Sequence, residues 1–120
     1  MEHRISKRVP GKLGSLLYKR GMPVATGQIR DASKSGLFLA TDYAGAQIDE
    51  TLELEFRFPK RNERHFRKLV ARVVRRTDNG LGVKFEGSGN DAFTISYLLN
   101  WLQQHYMPSA YFSVLRQKLR

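Results

Sequence analysis

Residues 51–58 read Thr-Leu-Glu-Leu-Glu-Phe-Arg-Phe, an unbroken alternation. Leu52, Leu54, Phe56 and Phe58 fall on one side of an extended chain, and Glu53, Glu55 and Arg57 on the other. A period of two sustained over this length describes a strand with one face in a core and the other toward water. Pro59 ends it, because proline brings no N–H to a ladder. Such a strand is stable only among others, so the rest of the chain has to supply partners.

It does so in short pieces. Leu13 to Lys19 reads as a first strand, with Gly21-Met22-Pro23 as the turn after it. Val24 to Arg30 gives a second strand that runs straight into Asp31, and Leu37 to Thr41 is an apolar run expected as a buried third strand. Beyond the polar stretch from Lys60 to Lys68, Leu69 to Arg76 is a fifth strand. Asp78-Asn79-Gly80 then turns the chain into a sixth, Leu81 to Phe85. Short strands joined mainly by short turns predict a mainly β fold, a six-stranded antiparallel β-barrel.

The period then changes. From Asn90, a candidate cap, Ile95, Leu98, Leu99, Leu102 and Tyr106 share one helical face, with Phe93, Tyr97 and Trp101 as a second stripe beside it. That stripe reads as packing or as a homodimer face. Pro108 divides this helix from a second amphipathic stretch through Tyr111, Phe112, Leu115 and Leu119. The organisation expected is one domain: a flexible arm over 1–12, a barrel over 13–88, and one or two C-terminal helices over 89–120. No apolar run approaches the ~20 residues of a membrane span, no cysteine supplies a disulfide or thiolate, and a cytoplasmic location fits both.

Twenty-one Lys and Arg against 11 Asp and Glu leave a net charge of +10, an attraction for anionic partners of any kind. Catalysis is not indicated: His3, His65 and His105 are dispersed, Ser33 and Ser35 sit in no nucleophile elbow, and no metal-ligand spacing occurs. The basic stretch with Lys60, Arg61, Arg64, Arg67 and Lys68 carries one aromatic, Phe66, and so lacks the stacking platform of single-strand binders.

More specific are Arg4 and Arg8, four residues apart in the arm, and the turn Asp31-Ala32-Ser33-Lys34-Ser35-Gly36. Two guanidiniums, a carboxylate and a hydroxyl form the set guanine asks for: its Watson–Crick edge donates, while O6 and N7 accept from one arginine. The plain structural alternative is an Asx-type turn at Asp31 and Ser33, with Gly36 holding a positive φ.

Arg4-Ile5-Ser6-Lys7-Arg8 followed by Val9, then Asp31 to Gly36, then Leu81-Gly82-Val83-Lys84-Phe85 and a helix after the barrel, resembles the PilZ domain family of bacterial cyclic di-GMP receptors. Ser35 stands where many members carry a second glycine. The resemblance implies that Arg4 and Arg8 clasp guanine and phosphate, that Asp31 and Ser33 hold a guanine edge, and that Gly36 keeps the turn open. His3, Lys7, Val9, Lys34 and Gly82 flank these motifs and complete the candidate set. It further implies no enzyme activity and no cofactor or metal, with cyclic di-GMP as ligand and a protein effector as partner. The rival readings are a basic RNA- or DNA-binding barrel and a ligand-independent adaptor.

Overall fold

The computed structural model of the protein describes residues 8–58, 67–86 and 92–105. Six strands and one helix follow one another: β1 Val9–Lys19, β2 Met22–Ala32, β3 Gly36–Ala40, β4 Thr51–Phe56, β5 Arg67–Thr77, β6 Gly80–Phe85 and α1 Ala92–His105. The strands close into an antiparallel barrel in the order β1-β2-β3-β6-β5-β4. Closure leaves no open sheet edge, which suits a small all-β chain.

Alternation builds the core. Leu13 and Leu17 of β1, Ile29 of β2, Leu37 and Leu39 of β3, Leu52, Leu54 and Phe56 of β4, Leu69 and Val73 of β5, and Leu81 and Val83 of β6 point inward, each no more than 4% exposed. The hairpin joining β1 to β2 has two central residues, Arg20 and Gly21, both at positive φ (54° and 81°). Such a turn matches the right-handed twist of its strands. The turn thus lies one residue earlier than Gly21-Met22-Pro23, and Met22 and Pro23 already belong to β2.

β1 begins at Val9 rather than Leu13. Val9-Pro10 favours extended backbone, and Pro10 pairs with Asp31 across the ladder. A register shift between Pro10 and Leu13 then bends β1. The bend matters because α1 packs where β1 starts, and a side chain at Gly11 would run into Leu102.

The helix buries Thr94, Leu98 and Leu102. Its aromatic stripe divides: Tyr97 and Trp101 stand edge-on to Phe58, with ring centroids 4.9 and 5.7 Å away, whereas Phe93 is 61% exposed. Phe58, the last apolar residue of the alternating segment, is therefore the seat of the helix. Asn90, Tyr106 and the second helix expected beyond Pro108 lie outside the described residues. No helix among the described residues is long and apolar enough to cross a membrane.

Candidate functional site

The turn between β2 and β3 is held from inside. The Ser33 amide donates to the Gly36 carbonyl at 2.8 Å, and the Ser35 amide donates to the Ser33 hydroxyl at 3.2 Å. The Phe85 amide of β6 donates to the Ser35 carbonyl at 2.8 Å, so the turn is tied to the neighbouring strand as well. Ser33 itself is 1% exposed. Its hydroxyl works here as a turn device, as short polar side chains do in ST-turns.

Gly36 does not take the positive φ considered for it, since Gly21 is the glycine in the left-handed region among the described residues. Its reason is proximity: a Cβ there would land on the carbonyl oxygen of Val83. Glycine lets β3 pair with β6 through Gly36 and Lys84 with no side chain between the backbones. The spacing of the motif is thus set partly by strand packing.

Asp31 sits at the end of β2, half-buried, and meets Arg8 one residue ahead of β1. The Arg8 Nε donates to Asp31 Oδ1 at 2.8 Å, and Nη2 donates to the same oxygen. Both bonds fall on Oδ1. The pair is solvent-facing, with the two side chains 46% and 34% exposed, so it contributes little to stability. It nonetheless brings one arginine of the arm and the carboxylate of the turn to one place, although 23 residues separate them.

Val9 and Lys34 come together with α1. They line a cleft of about 270 Å³ whose far wall is Ser96, Leu99, Asn100 and Gln103. Gly82 lies farther along the outer surface, beneath the side chain of Arg75: a Cβ at Gly82 would be 3.3 Å from Arg75 Nε. Of the sequence-derived set, Arg8, Val9, Asp31, Ser33, Lys34, Gly36 and Gly82 are thus placed. His3, Arg4 and Lys7 lie outside the described residues, as do Lys60, Arg61 and Arg64. Lys68 is placed, and its ammonium lies 4.7 Å from the centre of the Tyr18 ring on another part of the barrel.

Sequence reasoning passed over Arg30, Phe38, Arg75 and the polar residues of α1. Phe38 was expected in a buried strand, but it is half-buried and lies between Leu37 and Leu39, which point inward. Strict alternation within that apolar run would have turned it outward. Among the described residues, no group of three or more His, Asp or Glu is placed to hold a metal ion.

Matched against models of known families, residues 2–104 fit the PilZ domain. A search of curated proteins gave no match.

Proposed function

Since the chain belongs to the PilZ domain family, whose members are receptors for cyclic di-GMP, we propose that it binds this messenger at the Arg8–Asp31 corner and passes the signal to a protein effector. The observation that carries the reading is that corner, where a guanidinium and a carboxylate from distant segments share one spot beside a fixed turn. Both Arg8 bonds use Oδ1, and among the described residues no donor reaches Oδ2 of Asp31. Guanine offers N1–H and an exocyclic amine in a row, the donor pair a carboxylate takes; adenine has no such pair. A site built on these bonds discriminates strongly, because the wrong base leaves its polar groups unpaired.

To receive guanine on both oxygens, Asp31 exchanges Arg8 for the base. Breaking so exposed an ion pair costs only about 0–1 kcal/mol. The released guanidinium then serves the purine O6 and N7 or a phosphate, with Arg4 as its companion in the arm. Arginine suits the task as a permanently charged fork that also stacks on purines. Ser33 contributes by holding the turn, and Gly36 by letting the turn lie against β6. His3, Lys7, Val9 and Lys34 border the ligand, and Lys34 brings a cation that makes no ion pair among the described residues.

Because Val9–Lys12 belong to β1, the proposed output is closure of the shorter arm ahead of that strand, residues 1–8: a bound ligand draws in Arg4 and Arg8 and changes the surface shown to the effector. A receptor of this kind requires no cofactor and works in the cytoplasm.

Calorimetric titration with cyclic di-GMP, with GTP and cyclic di-AMP as controls, tests the reading. Wild type takes up cyclic di-GMP alone, and Arg8→Ala weakens it by about tenfold or more, the loss of a charge-assisted pair of bonds. Equal binding of all three nucleotides, or an Arg8→Ala variant that binds as wild type does, overturns it. The nucleic-acid alternative predicts something else: oligonucleotide affinity that collapses with salt and survives loss of Asp31.

A further inference from the structure

α1 is a surface helix without a surface charge. Its 14 residues, Ala92–His105, include no Lys, Arg, Asp or Glu, in a chain that is 27% charged. Water-facing helices ordinarily carry charge on their outer side, whereas the centre of a protein interface is depleted of it. The outer side of α1 shows Phe93, Ser96, Asn100 and Gln103 instead, and Phe93 is 61% exposed. These four fall at i, i+3, i+7 and i+10, one continuous stripe about 15 Å long.

Beside that stripe runs the cleft of about 270 Å³, with Leu99 on the helix side and Val9 and Lys34 on the barrel side. Val9 is buried and Leu99 half-buried, so the floor is apolar. Lys34 is exposed at the rim and makes no ion pair among the described residues. A groove along a helix, with an apolar floor, amide and hydroxyl groups on one lip and a cation on the other, suits a second helix laid lengthwise. The cation sets the sign of that helix: it brings a carboxylate.

The chain itself supplies no such piece at either end. Ahead of Arg8, Glu2 is outweighed by Arg4 and Lys7, and beyond His105 the sequence carries Arg116, Lys118 and Arg120 with no acid. A second copy brings another +10 and the same lysine, with no carboxylate among the residues that line the cleft. We infer that this cleft is where an acidic amphipathic helix of the protein effector docks. Its apolar side covers Val9 and Leu99, its polar groups meet Ser96, Asn100 and Gln103, and an Asp or Glu reaches Lys34. Phe93 extends the contact as an aromatic anchor at the amino end of α1.

The inference rests on the receptor reading for the effector's role and gives that reading its output. Val9 follows Arg8 directly, and Lys34 lies within the Asp31–Gly36 turn, so the barrel side of the cleft belongs to the segments that meet at the corner. A messenger that draws in Arg8 therefore alters the cleft, and by linkage an occupied cleft alters messenger affinity.

The experiment is selection of displayed random peptides, each the length of α1, on the full chain, followed by fluorescence anisotropy of the enriched peptides. Binding is measured on wild type, Asn100→Arg and Lys34→Gln, with and without saturating cyclic di-GMP, and each variant's melting temperature is recorded. Calorimetry with cyclic di-GMP runs in parallel. Enriched peptides are expected to be acidic and amphipathic at helical spacing. Asn100→Arg weakens them by about tenfold or more while taking up cyclic di-GMP as wild type does, and Lys34→Gln weakens them by about threefold to tenfold, as loss of a charge-assisted contact requires. Saturating cyclic di-GMP changes their affinity by about threefold or more. Both substituted residues are exposed, so Lys34→Gln decides the matter should Asn100→Arg fail to fold.

A selection that enriches nothing, or enriches basic peptides, or peptides that bind both variants as tightly as wild type, refutes the cleft. So does an affinity indifferent to cyclic di-GMP when calorimetry shows the messenger bound. A wild type that ignores cyclic di-GMP removes the receptor reading, and the variants then decide the cleft by themselves. Sedimentation showing a dimer that Asn100→Arg dissociates, or α1 amide shifts that move with Leu115→Asp, assigns the cleft to a second copy or to the chain's own end and overturns the inference.

Discussion

On β1, β4 and β5 the polar groups answer one another. Tyr18 donates to Glu55 at 2.6 Å, Lys68 lies over the Tyr18 ring, and Lys19 Nζ sits 2.6 Å from Glu50 Oε2. In the middle of β5, Arg72 reaches both Asp49 and Glu86, at 3.1 and 3.2 Å. Across β2, β3 and β6 the pattern is different. Arg30, Lys34 and Lys84 make no ion pair among the described residues, and Arg75, which comes across from β5, rests on the Phe38 ring. A net charge of +10 states only that the chain attracts anions. The contrast is between cations: Lys19, Lys68 and Arg72 have partners within the chain, whereas Arg30, Lys34 and Lys84 make no ion pair among the described residues.

The corner at Asp31 marks the boundary, and removing its carboxylate separates the two sides most sharply. Asp31→Ala is expected to cost about 100-fold in cyclic di-GMP affinity, the loss of two donors to a charged acceptor, with hardly any change in melting temperature because the Arg8 pair is exposed. Calorimetry and thermal unfolding on the same sample check both halves.

Gly36→Ala joins what Asp31→Ala separates. The added methyl meets the Val83 carbonyl, so the turn has to move away from β6. Destabilisation of about 1–3 kcal/mol in urea unfolding is expected, together with weaker ligand binding. Unchanged stability would mean that the turn tolerates displacement and that glycine has another role.

Tyr18→Phe is the mirror of Asp31→Ala. It strips the donor from Glu55, which is only 7% exposed, so thermal stability falls while ligand affinity stays at the wild-type value. The fall is expected to be smaller than that of Gly36→Ala.

The smallest effect is one of pH. The hydrogen bond from Lys19 holds the Glu50 carboxyl below its ordinary value of 4.5, helped by the Gln47 amide. The same bond raises Lys19 above its ordinary 10.5. A depressed carboxyl lends stability that is complete above 4.5 and is lost as pH falls through the folded value. A raised ammonium lends stability that is complete below 10.5 and is lost as pH climbs through its folded value. Glu50→Gln should therefore lower the melting temperature slightly at pH 7 and leave it equal to wild type well below the folded carboxyl value. Unfolding curves at low ionic strength test the convergence.

Much of this arrangement was legible in the chain. Thr51–Phe56 alternates so clearly that its strand and its inward face could be read directly, although the strand stops two residues before Phe58 and Glu55, expected toward water, is buried. Asp31 to Gly36 could be located by composition, and its nearness to Arg8 followed from the family resemblance. Other features depend on partners that a linear reading does not see. Val9–Lys12 became strand because Pro10 finds Asp31, not through any strong propensity of its own. Phe38 was hidden by its apolar neighbours, and its meaning depends on Arg75, which arrives from β5 across Gly82. Likewise, Gly36 is explained by the Val83 carbonyl, an atom on another strand.

The most direct test of the account is an amide chemical-shift titration of the labelled protein with cyclic di-GMP. It predicts saturable shifts at Asp31 to Leu37, at Phe38 and at Gly82, while the amides of Tyr18, Glu53 and Glu55 on β1 and β4 stay in place. Shifts centred on Tyr18 and Glu55, or a spectrum unmoved by the messenger, would contradict it.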